Sequence, residues 1–125
     1  MTVLSFSERK KILKKTNTLD LTPFKLHTEE VDEENLVTVL IPKFKNKFAV
    51  KFISPKLKSD VFRIKLDKFG SFIWIKMNGN YKVHQIVKDA VEHFKEEIHP
   101  AEERISKFIF QLYEQRLISF NELNR

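Results

Sequence analysis

Four histidines, His27, His84, His93 and His99, are the side chains of this 125-residue chain whose unperturbed pKa suits acid–base work near neutrality. No two of them stand four residues apart, the spacing that puts a zinc pair on one helix face. Cysteine is absent, so there is no thiolate nucleophile, thiolate metal ligand or disulfide. The chain has two glycines, too few for a loop that cradles phosphates. The expectation is no catalytic residue, no metal site and no cofactor, with the histidines on the surface. What remains is the chemistry of recognition: charge, apolar anchors and backbone edges.

The charge is unevenly placed. Residues 43–68 hold nine Lys and Arg against Asp60 and Asp67, whereas residues 1–42 and 69–125 are close to balanced, within a net charge of +6. A local positive field attracts acidic partners. Equally, a Lys-rich face keeps a sheet soluble and guards its edges. Hydrophobic residues make up 42% of the chain and include 12 Phe, enough to build a core. No apolar run approaches the roughly 20 residues that cross a membrane, and Met1 to Lys15 lacks a secretory pattern. A cytoplasmic protein that does not engage membranes is expected.

The elements follow from periodicity. Ser5 to Glu8 has the spacing of a capping box and predicts a short basic N-terminal helix. Leu19 to Leu26, interrupted by Pro23, reads as irregular, and Glu29 to Asn35 as an exposed acidic loop. Three strands are expected over Leu36–Ile41, Phe48–Ile53 and Val61–Asp67, in an antiparallel meander with Lys45-Asn46-Lys47 as its first turn. In the third, Phe62, Ile64 and Leu66 alternate with Arg63 and Lys65, so one face is buried and one is wet. The period then becomes helical: a helix capped by Asp67 and stopped at Asn78-Gly79-Asn80, a second over Val83–Lys95, and a third from His99-Pro100 to Gln115. The apolar stripe of the third helix is Ile105, Phe108, Ile109 and Leu112. Phe48, Val50, Phe52, Phe62, Ile64, Leu66, Ile73, Trp74, Val87, Phe94, Ile105, Ile109 and Leu112 are the expected core. The fold class is α+β and winged helix-turn-helix-like, a three-stranded antiparallel sheet followed by three helices, plus the short N-terminal helix. Residues 1–35 form an extension on or flanking a 36–125 domain, within one structural domain.

From Val61 onward the sequence resembles the PqqD-like family, named for coenzyme PQQ synthesis protein D. The resemblance rests on Leu66-Asp67 at the end of a strand, Gly70 three positions on, the Ile73-Trp74 pair and the Gly79 turn. It continues through Val83 and Ile86-Val87, then Ile105, Phe108 and Leu112 with the exit Leu117-Ile118. The chain departs from the pattern at Arg116, where the family usually has glycine, and the segment before Leu36 has no counterpart in it. The resemblance implies a peptide (RiPP) recognition element. Such a protein binds the leader of a precursor peptide and presents it to a modifying enzyme, often a radical enzyme using S-adenosylmethionine. The leader adds as a strand beside the third strand, in the groove formed with the third helix.

On that expectation the peptide-binding residues are Val61, Arg63 and Lys65 on the strand and Ser106, Phe110, Tyr113 and Leu117 on the helical wall. Phe110 and Leu117 fall off the core stripe beside Ser106, and either a peptide or the N-terminal extension can cover them. An open strand edge can also pair two copies of the chain. Two other functions compete. A winged-helix DNA-binding regulator is invited by the pI of about 9.5. The acidic start of the third helix at Glu102 and Glu103 speaks against it, since phosphates repel carboxylates. The other is a structural or interaction subunit unrelated to peptide modification.

Overall fold

A computed structural model describes residue 8, residues 17–43 and residues 61–123. Glu8 is helical; the rest of the expected N-terminal helix, the Lys45–Lys47 turn and the expected strand Phe48–Ile53 lie outside the described residues.

The main sheet is built from β2 (Thr28–Val31), β3 (Val37–Pro42) and β4 (Val61–Lys65), all antiparallel, in the order β2-β3-β4. Val37, Val39 and Ile41 supply the β-branched inner row of β3. Its register sets Val39 opposite Ile64 and Ile41 opposite Phe62. The β2–β3 hairpin closes through Asp32, whose carboxylate accepts the backbone N–H groups of Glu34 and Leu36. Asn35 takes a left-handed φ of 65° there, a conformation asparagine tolerates well. The strand membership differs from the expected meander. β3 pairs with β2 on one side and with β4 on the other. Among the described residues the third strand of the sheet is Thr28–Val31, inside what reads as an acidic loop.

Three helices follow: α1 (Lys68–Lys76), α2 (Val83–Phe94) and α3 (Ala101–Glu114). Asp67 caps α1 as its side chain accepts the Gly70 N–H at 2.8 Å. One turn in, the buried Ser71 hydroxyl accepts the Val37 N–H at 2.8 Å and donates to the Leu66 carbonyl. A helix side chain thereby stitches β3 to the end of β4. Helix α3 ends without the family's glycine. Arg116 itself takes φ 62°, and the Leu117 N–H reaches the Leu112 carbonyl while the Arg116 N–H reaches Tyr113, the paired bonds of a Schellman ending.

Trp74 is fully buried under the sheet, and its indole N–H donates to Glu29 of β2 at 2.9 Å. The Lys25 ammonium meets the same carboxylate oxygen at 2.6 Å. Burial works against the charge on Glu29. The hydrogen bonds from Lys25 and Trp74, with the Lys25 charge, outweigh that and hold its pKa below the usual glutamate value.

The lead-in to the sheet is ordered packing rather than irregular chain. β1 (Pro23–Lys25) pairs with β5 (Ile118–Phe120) in a second, two-stranded antiparallel sheet. Thr22 donates both its N–H and its hydroxyl to the Glu122 carboxylate. Leu21 is fully buried, and its carbonyl accepts the Val83 N–H at the start of α2.

The core gathers Leu21, Val37, Val39, Ile73, Trp74, Met77, Ile86, Ile105, Ile109, Leu112, Ile118 and Phe120. Of the expected core, Ile64, Leu66, Val87 and Phe94 are partly buried against it. Phe62 is not part of it: it is 57% exposed. It lies on the inner face but opposite Ile41, near the end of the β3–β4 ladder, and the Lys43 ammonium sits 5.2 Å from its ring centroid.

Candidate functional site

β4 is an edge strand: among the described residues nothing pairs with its second side. The Leu66 N–H bonds to the Val37 carbonyl, which fixes the phase of the β3–β4 ladder. In an antiparallel pair the bonded residues alternate, so Ile64 and Phe62 also turn their backbone groups toward β3. The N–H and C=O groups of Val61, Arg63 and Lys65 then point to the open edge. Among the described residues these donors and acceptors have no partner, the pattern of an edge strand.

At the end of β4 the edge opens into a groove of about 400 Å³. Its strand side is Lys65, Leu66 and Asp67; its helical side is Phe69, Gly70 and Ile73 of α1, Ile98, and Arg104, Ile105 and Phe108 of α3. The groove exists because two helices lean together at Gly70. A Cβ built there would meet the tip of the Phe108 ring at 3.2 Å, so glycine is what lets the ring lie across α1. The walls are mainly apolar, and the rim is charged. Arg104 lays its guanidinium over Phe69, 5.1 Å from the ring centroid, and donates to the Glu97 carbonyl at 2.9 Å. Lys68 covers the same ring and is paired with Glu97 at 2.6 Å. Asp67 is committed to capping α1.

The residues expected to bind peptide do not converge. Val61, Arg63 and Lys65 share the outer face of β4 by alternation. Arg63 is already ion-paired with Glu30 of β2, both side chains being more than half exposed. Lys65 has no such partner among the described residues and stands on the groove rim. Phe110 and Tyr113 lie on another flank of α3, where both pack on Phe120 of β5, at 6.2 and 5.3 Å between centroids. Ser106 is half-buried and does not line the groove. Leu117 is not an exposed neighbour of Phe110: it is 3% exposed and belongs to the core. The α3 wall of the groove is Arg104, Ile105 and Phe108 instead. Phe108 and Phe110 are two residues apart, which puts them nearly opposite each other on a helix. The signal that separates them in sequence is Gly70, whose missing side chain makes room for one aromatic across the helix pair.

Among the described residues no three His, Asp or Glu side chains converge as a metal shell requires, and no helix is long and apolar enough to cross a membrane. No curated protein and no solved structure matches the chain. Strand β4, all three helices and both walls of the groove fall within residues 60–118, and this stretch matches the family model described as coenzyme PQQ synthesis protein D (PqqD): here the chain is PqqD-like.

Proposed function

We propose that the protein is a non-catalytic, cytoplasmic accessory protein of the kind coenzyme PQQ synthesis uses. It binds the leader of a precursor peptide and presents it to a modifying enzyme of the radical S-adenosylmethionine type. The observation that carries this reading is the edge of β4, unpaired among the described residues, running into an apolar groove against α3. Backbone groups on the edge supply affinity that does not depend on sequence, and the groove selects side chains at alternate positions. The PqqD-like stretch supports the same reading, because it spans the edge and both groove walls.

The test is amide hydrogen exchange on the protein with and without short linear peptides selected on it from a random library. Protection should appear at the Val61, Arg63 and Lys65 amides, which point away from β3, while Phe62 and Ile64 stay as they were. A peptide that binds and leaves all five amides unchanged would exclude strand addition at β4.

A further inference from the structure

Resting on strand addition at β4, we infer that Lys65 selects a peptide with an acidic residue directly beside a bulky apolar one. A strand added to β4 alternates its side chains between the two faces of the sheet, as β4 does. The residue opposite Lys65 shares the outer face with it, close enough for a direct cross-strand contact. The next residue in the peptide turns to the inner face, where the groove offers the half-buried Leu66, Phe69 and Phe108 over a floor of Ile73, Ile98 and Ile105.

The surrounding charges assign the acid to Lys65 rather than to Arg63 or Lys68. Arg63, two residues along the same face, is held by Glu30, and Lys68 is held by Glu97. Lys65 has neither an ion pair nor a hydrogen bond among the described residues. Arg104 adds a second positive charge on the helical rim; Asp67 is committed to capping α1 and Glu97 to Lys68. An anion next to Lys65 therefore enters a positive field without displacing an existing pair, whereas one at Arg63 has to compete with Glu30.

The probe is a library of short random linear peptides, selected on the wild-type protein and on Lys65→Glu. Lys65 is exposed and has no ion pair among the described residues, so Lys65→Glu should keep the wild-type melting temperature. Wild-type protein should enrich peptides in which Asp or Glu adjoins Phe, Leu, Ile or Trp, and these should protect the Lys65 amide. Changing that Asp or Glu to its amide should weaken binding about twofold to fivefold, and the same change should have no adverse effect on Lys65→Glu. A Lys in its place should restore binding to Lys65→Glu. Selected peptides that protect the β4 amides without an acidic preference, or with one unchanged in Lys65→Glu, overturn the selectivity and leave strand addition standing. If every selected peptide leaves the β4 amides unprotected, strand addition itself fails and the selectivity falls with it.

Discussion

Glu29 stands opposite Val39 of β3, on the inner face of the sheet. A carboxylate next to Glu30 looks like the start of a solvated loop, yet it faces inward because the buried Trp74 indole needs an acceptor. The pairing has a consequence for acid stability. Because folding lowers the Glu29 pKa, its contribution is fully present above the ordinary glutamate range and is lost as pH falls through the depressed folded value. Urea unfolding followed by the fluorescence of Trp74, the sole tryptophan, should show wild-type stability falling across that acidic window. Glu29→Gln should be less stable than wild type at neutral pH and should lose less on acidification. Parallel curves for the two proteins would remove Glu29 from the acid response. Arg116 is the converse case: the departure from glycine was visible in the sequence, and the chain meets it by taking the left-handed conformation anyway.

Among the elements, β4 and the three helices were legible because each has one apolar face with the right period: Ile64 and Leu66 inward, Ile105, Ile109 and Leu112 along α3. β2 was not, since Glu29 breaks the period-2 apolar pattern at the position a core residue would normally fill. β1 was hidden by its three-residue length and by Pro23; Pro is compatible with an edge strand. The groove was half legible. The strand side follows from alternation, but choosing between Phe108 and Phe110 required knowing that β5 folds back across one flank of α3. That choice is testable. Phe110→Asp sets a carboxylate against Tyr113 and Phe120, and should lower stability by about 1–3 kcal/mol. Phe108→Ala should remain folded and weaken peptide capture, because Phe108 is half-buried and lines the groove. Thermal denaturation and peptide titration of both variants check this; a Phe110→Asp protein of wild-type stability that no longer binds peptide would return the binding wall to the Phe110 flank.

For the molecule as a whole, the question is whether the segment before β3 is an addition to the PqqD-like stretch or part of its foundation. The matched residues 60–118 end as β5 begins, and β5 pairs only with β1 among the described residues. Leu21 fills the core between the start of α2 and the C-terminal turn, and Thr22 ties itself to Glu122 a hundred residues later. The same segment provides β2, the strand that holds Trp74 through Glu29. Such long-range contacts make the segment and the helices depend on each other, so their unfolding should be coupled. Leu21→Ala removes a fully buried side chain and should cost about 2–5 kcal/mol. The discriminating readout is where the loss is felt. If the segment is integral, hydrogen exchange in Leu21→Ala should accelerate in the most protected amides of α2 and α3 as much as in β1, with one thermal transition by Trp74 fluorescence and by helical circular dichroism. Faster exchange confined to β1 and β5, with α2 and α3 unchanged, would mean that the segment is a separable strap and that the helices hold together without it.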